Sequence, residues 1–150
     1  MPDSVWRMAR RWMFPTLIAI SGAAMAARQV ATGSPVAGAV LAVLFGLLAF
    51  ILSPLAFPRS IAAAEAQRRA AEDGRPIVYW RTGCPFCLRL RARLGPAGAR
   101  RAHWVDIWRD PDGAAAVRAI TGGDETVPTV VIGDRSHVNP DPNWLRQQLA

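Results

Sequence analysis

Cys84 and Cys87 are the only two cysteines among 150 residues, and both lie in the stretch "RTGCPFCLRL" (81–90). A β-prone apolar run, "PIVYW" (76–80), ends just before them. "PFCLRLRARL" (85–94) then reads as a helix with Pro85 in its first turn, where the missing N–H of proline is tolerated. Cys84 is therefore expected at a helix N-terminus. Unpaired amides and the helix dipole favour an anion there, which lowers a thiol pKa. The thiolate is the species that attacks a disulfide sulfur. Arg81, three residues earlier, adds positive charge. Cys87 falls one turn into the helix, where it can resolve a disulfide formed on Cys84. The pair is a candidate catalytic site for thiol–disulfide exchange.

Three other readings compete. A structural disulfide would close a ring too small to remove much unfolded-state entropy. A zinc half-site would need two more ligands, and the two histidines, His103 and His137, stand at a spacing that fits no common zinc motif. Two packed free thiols would not require Pro85 at a strand–helix junction. Cys-x-x-Cys beside a β-α-β pattern points to redox chemistry, with no metal.

Val127–Pro128, in "TGGDETVPTVVIG" (121–133), is the second element. Its polar lead returns the chain to the sheet end that carries the cysteines. A cis peptide at that bond would turn the backbone of Thr126 to Thr129 towards the sulfur. The exposed amide and carbonyl could then pair with an extended thiol substrate. Trp80 and Arg81, at the end of the first strand, are expected to line the same groove. Trp104 and Trp108 are expected to pack.

Positioning these residues takes a sheet and its covering helices. Strands are predicted at 76–80, 102–107, 126–133 and 135–138, and helices at 85–94, 110–120 and 139–150, the second capped by Asp110. The order β-α-β-α-β-β-α implies an α/β domain with a mixed sheet covered by helices.

The N-terminal part has a different composition. Between Trp12 and Phe57 the only charge is Arg28. Apolar stretches over about 12–31 and 36–57, joined by a polar turn, predict two membrane spans in a hairpin. Gly22, Ala23, Ala26, Gly38, Ala42 and Gly46 would let the helices approach closely. A cleavable signal peptide is the alternative for the first stretch. Residues 60–74 are expected to form a juxtamembrane helical linker capped by Ser60. The expected organisation is thus a membrane hairpin over 1–59, the linker over 60–74 and the catalytic domain over 75–150.

The formal net charge is +7, and all eighteen basic residues are arginine. Residues 1–60 hold five arginines and one aspartate, so +4, and the remainder contributes +3. Arg7, Arg10 and Arg11 precede the first stretch, and Arg59, Arg68 and Arg69 follow the second. By the positive-inside rule both ends face the cytoplasm, which predicts a multi-pass protein of the plasma membrane in contact with lipid. The C-terminal half shows no basic stripe interleaved with aromatics, so nucleic acid is not an expected partner. An outward-facing domain would instead be a disulfide oxidant or isomerase for exported proteins. A non-catalytic redox-sensing or metal-binding module is the other alternative.

The stretches "CPFCLRL" (84–90), "WVDI" (104–107), "TVPTVVIGD" (126–134), "NP" (139–140) and "WLRQQL" (144–149) resemble the glutaredoxin branch of the thioredoxin fold, and most of all the actinobacterial mycoredoxins. The resemblance covers roughly 76–150 and implies a thioredoxin-like fold. It implies that Cys84 is the nucleophile and Cys87 an optional resolving thiol. It maps the family's cis-proline segment, which holds the amide of the bound thiol, onto Thr126, Val127 and Pro128. With Arg81, Pro85 and Phe86 these make up the expected thiol-binding set. The implied activity is reduction of protein mixed disulfides with a low-molecular-weight thiol, mycothiol or glutathione, as co-substrate and with no bound cofactor. Pro85 and Phe86 stand where mycoredoxins usually carry Gly-Tyr, and Gly83 stands where an aromatic is frequent.

Overall fold

In the computed structural model, the backbone is described over residues 2–150. The side chains of residues 1–4, 7 and 8 lie outside the described residues, and with them the expectation on Arg7. The chain divides into two compact units, Met1–Ala56 and Phe57–Ala150.

The first unit is a helical hairpin. Helix α1 spans Pro2–Ala31 and α2 spans Pro35–Ile51, followed by a 3-10 turn at Pro54–Ala56. The small-residue contact is real at two positions. A Cβ on Gly22 would lie 2.2 Å from the Phe45 Cβ, and one on Gly38 would lie 2.8 Å from the Ala26 carbonyl oxygen. A Cβ on Gly46 would meet nothing within 4 Å, so that glycine faces away from the seam.

The expectation of two spans needs correction. Among the described residues no helix is long and apolar enough to cross a membrane. Pro54 cannot donate to a helical ladder, so the apolar run 36–57 does not form one helix. The helix stops at Ile51, where Ser53 Oγ donates to the Phe50 carbonyl at 2.7 Å and accepts from the Leu55 N–H at 3.2 Å. Seventeen residues of α2 reach about 26 Å at the helical rise, short of the ~30 Å hydrocarbon core. Helix α1 has the length, but Arg10, Arg11, Arg28 and Gln29 bracket its apolar part, and Ala, Gly and Ser dilute it.

The second unit holds a four-stranded mixed sheet in the order β2-β1-β3-β4. Its strands are β1 (Ile77–Trp80), β2 (His103–Asp106), β3 (Thr129–Ile132) and β4 (Arg135–Val138). Strand β1 pairs parallel with β2 and antiparallel with β3, and β3 pairs antiparallel with β4. Every residue of β1 and β2 is buried, so both faces of the sheet are covered. The cover comes from α3 (Ala63–Asp73), α4 (Pro85–Ala99), α5 (Pro111–Thr121) and α6 (Pro142–Gln148). Helix α4 packs with α6, and α3 packs with α5, β1 and β2. The predicted β-α-β-α-β-β-α order is present, preceded by α3.

Helix α3 is part of this unit rather than a linker. Ala63 and Ala66 are buried on it, and the Ile61 N–H donates to the Trp104 carbonyl at 3.0 Å. Its N-cap residue is Ala62, not Ser60. The Ser60 hydroxyl instead accepts from the Asp106 N–H of β2 at 2.6 Å. Asp110 caps α5 as expected, accepting from Asp112 and Gly113, and its second carboxylate oxygen also accepts from the Ala63 N–H at the start of α3. One carboxylate thus satisfies orphan amides at two helix ends.

Helix α4 runs beyond the predicted 94 and breaks at Gly95. That residue has φ +66°, a backbone conformation glycine adopts without steric cost, and Pro96 follows.

Candidate active site

Strand β1 ends at Trp80, and a short turn delivers Cys84 as the N-cap residue of α4, with φ −84° and ψ 112°. Its sulfur accepts from the Cys87 N–H at 3.2 Å, filling the capping role usually taken by a side-chain oxygen. In its neutral form the thiol donates to the Val127 carbonyl at 3.4 Å. The Val127–Pro128 peptide is cis. Both thiols are free. Cys87 is completely buried, whereas Cys84 retains 5% exposure and lines a groove of about 450 Å³.

The two thiols are electrostatically unequal. The Cys84 pKa is lowered to about 7. The leading cause is the Cys87 thiol, which hydrogen-bonds to the thiolate. Burial opposes the shift, while the Cys87 amide, the Arg81 charge and the Phe86 amide add to it. Cys87 moves the other way, pushed far up by burial and by the neighbouring Cys84 sulfur. The pair therefore holds one thiolate near neutral pH, on the sulfur that faces the groove. The guanidinium of Arg81 lies 5.7 Å from the ring centre of Trp108.

The groove brings together Arg81, Cys84, Pro85, Phe86, Thr126 and Val127 from the expected set. Phe86 is 53% exposed, a large apolar surface beside the sulfur. Pro128 does not line the groove. It is buried, and its carbonyl accepts from the Asn139 N–H at 2.7 Å. Trp80 does not line it either: the indole is 1% exposed and stacks on Phe57 with ring centres 3.9 Å apart. A strand covered on both faces offers no groove-facing side, so the end of β1 buries its tryptophan. Gly83, Asp124, Glu125 and Asn139 also line the groove, and the sequence reading does not name them as site residues. Asn139 carries the one signal that could have found it, the "NP" pair. It takes φ +47°, a conformation asparagine tolerates better than most residues.

The histidines have other partners. His103 Nε2 lies 3.0 Å from an Asp73 carboxylate oxygen, and the His137 ring sits 4.2 Å from that of Trp144. Among the described residues no group of three or more His, Cys, Asp or Glu side chains is arranged to hold a metal ion.

The glutaredoxin family model matches residues 77–138, from the first residue of β1 to the last of β4. Two relatives from Mycobacterium tuberculosis, strains CDC 1551 / Oshkosh and ATCC 25618 / H37Rv, are named as candidate glutaredoxins. Each is 34% identical over 74 residues, covering 49% of this chain and 87% of the relative. No solved structure gave a significant match.

Proposed function

The chain belongs to the glutaredoxin family, and we propose that it works as a thiol–disulfide oxidoreductase that reduces mixed disulfides between proteins and a low-molecular-weight thiol such as mycothiol. The observation that carries this reading is the Cys84 sulfur. Its pKa is lowered to about 7, it is held by the Cys87 amide at 3.2 Å, and it faces a groove that Thr126 and Val127 also line.

In the first step the Cys84 thiolate attacks the small-thiol sulfur of the mixed disulfide. A Cys84–sulfur bond forms, the substrate S–S bond breaks, and the protein thiolate leaves and is protonated by solvent. A second molecule of the small thiol, as thiolate, then attacks the sulfur bonded to Cys84. This yields a small-thiol disulfide and restores the Cys84 thiolate. Alternatively Cys87 loses its proton and displaces the small thiol, leaving a Cys84–Cys87 disulfide that two further small thiols reduce. Arg81, Pro85, Phe86, Thr126 and Val127 would hold the small thiol. Main chain at Thr126 and Val127, on the groove wall, would offer it hydrogen-bonding groups.

The test is steady-state reduction of a peptide–mycothiol and a peptide–glutathione mixed disulfide, each regenerated with its own thiol. Turnover with mycothiol should exceed turnover with glutathione at matched concentration. The reverse order removes mycothiol as the co-substrate, and turnover with neither removes the reading itself.

For localisation, the proposal is the plasma membrane, with the oxidoreductase unit on the cytoplasmic side. It is supported by apolar side chains more than half exposed on both helices of the hairpin, among them Phe14, Leu17 and Ile20 on α1 and Leu44, Leu47 and Phe50 on α2. So large an apolar surface marks an interaction site, and the arginines flanking it suit an anionic cytoplasmic leaflet. The full chain should float with vesicles containing anionic lipid, whereas a chain lacking residues 1–56 should remain with the soluble fraction. Equal partitioning of the two would remove the lipid contact.

A further inference from the structure

The groove beside Cys84 is not symmetric in charge. Its ionic side chains are one arginine, Arg81, and two carboxylates, Asp124 and Glu125. Two of the three are engaged. Arg81 lies over the Trp108 ring, and its charge already acts on the Cys84 sulfur. Glu125 is ion-paired with Arg118, which does not line the groove.

Asp124 differs from both. No cation among the described residues pairs with its carboxylate, and the residue is exposed on the groove wall. Its position is fixed through main chain. Gly122 and Gly123, at φ +76° and +117°, turn the chain after α5. The Gly123 N–H donates to the Arg118 carbonyl at 2.8 Å, and the Thr121 hydroxyl donates to the Asp124 carbonyl. The wall then continues through Thr126 to the Val127 carbonyl, which meets the sulfur.

We propose that Asp124 is a specificity-determining residue of this groove, whose uncompensated carboxylate selects small thiols that carry a cation or no charge over those that carry carboxylates. The inference rests on the oxidoreductase reading above and adds the chemical class of the thiol. A carboxylate on the sulfur substituent would meet the like charge of Asp124 at the groove wall, a repulsion that falls off with distance and with salt.

The test uses the fully reduced full-length protein and three disulfides of similar size. Cystamine carries two ammonium groups, hydroxyethyl disulfide is neutral, and dithiodipropionate carries two carboxylates. In each reaction the Cys84 thiolate breaks the reagent S–S bond and Cys87 displaces the second half. Two small thiols are released as the protein gains a Cys84–Cys87 disulfide. The readout is the ratio of second-order rate constants, cystamine to dithiodipropionate, from released thiol. The ratio also contains the attraction of any thiolate for a cation, so the variants carry the argument.

Asp124→Asn should lower the ratio by about three- to tenfold. Asp124→Glu should retain most of it. Asp134→Asn, which removes the same charge from the exposed β3–β4 turn, should leave it unchanged. Raising the salt concentration should compress the wild-type ratio more than that of Asp124→Asn. An equal ratio in wild type and Asp124→Asn overturns the assignment, even if all three rates fall together. A wild-type protein that reduces none of the three reagents instead overturns the oxidoreductase reading.

Discussion

Replacing Cys84 by serine should reduce turnover of a peptide–thiol mixed disulfide to the uncatalysed background, a loss of about three orders of magnitude or more. The expectation follows from what the sulfur does and what an oxygen in its place cannot. A serine hydroxyl has no accessible anion near neutral pH, and the reaction needs an anionic nucleophile that can itself become a good leaving group. The fold should survive the change. Serine is a preferred N-cap residue, so its oxygen can accept from the Cys87 amide as the sulfur does at 3.2 Å. A thermal melt close to that of the wild type, together with lost turnover, would separate chemistry from folding. Cys87→Ser should behave differently and keep part of the activity, because a second small thiol can release Cys84. Turnover that persists in Cys84→Ser would mean that the groove sulfur is not the nucleophile.

The parts of this site that are legible in the sequence are those set by local chain chemistry. Pro85 after Cys84 marks a helix start whatever surrounds it, and the structure starts α4 there. Asp110 before Pro111 marks another, and its carboxylate caps α5. The apolar runs around Val78, Val105 and Val130 become strands β1, β2 and β3 in the expected chain order. The cis bond at Val127–Pro128 follows from family resemblance, since nothing in the residues alone distinguishes it from an ordinary X-Pro.

Long-range geometry is not legible in the same way. Local sequence makes Ser60 the cap of its own helix, but its hydroxyl meets the Asp106 amide, 46 residues away. Trp80 ends the strand before Cys84, which suggests the groove, yet Phe57, which the sequence assigns to a membrane span, stacks on it inside the core. Asp124 and Asn139 reach the groove only because two glycines set one loop and the end of β4 returns beside Pro128. The apolar run 36–57 overstates a helix because composition counts Pro54 as one residue, whereas the backbone treats it as a stop.

Cys87→Ala should move the titration of Cys84 upward from about 7 towards the ordinary thiol value of 9.0, because the leading cause of the depression is the Cys87 thiol itself. The Cys87 amide, Arg81 and the Phe86 amide remain and should hold part of the shift, so a rise of about one unit is expected. Serine at the same position keeps a hydroxyl donor and should shift less than alanine. The check is the pH dependence of Cys84 alkylation by iodoacetamide. Thiolate forms as pH rises through the pKa, so the wild-type rate should be half-maximal near pH 7, and the alanine variant should reach half-maximum later. The size of the effect depends on where along the profile it is read. A one-unit rise cuts the thiolate fraction at pH 7 about fivefold, but the more basic thiolate is intrinsically more nucleophilic, by about threefold at a Brønsted slope near 0.45. The two nearly cancel at neutral pH, where the variant should be only about twofold slower. At high pH both proteins are fully ionised, and the variant should then be faster than the wild type. Crossing profiles are thus the signature of a pKa set by the Cys87 thiol. Two superimposed profiles would mean that the helix amides and Arg81 hold the thiolate without it.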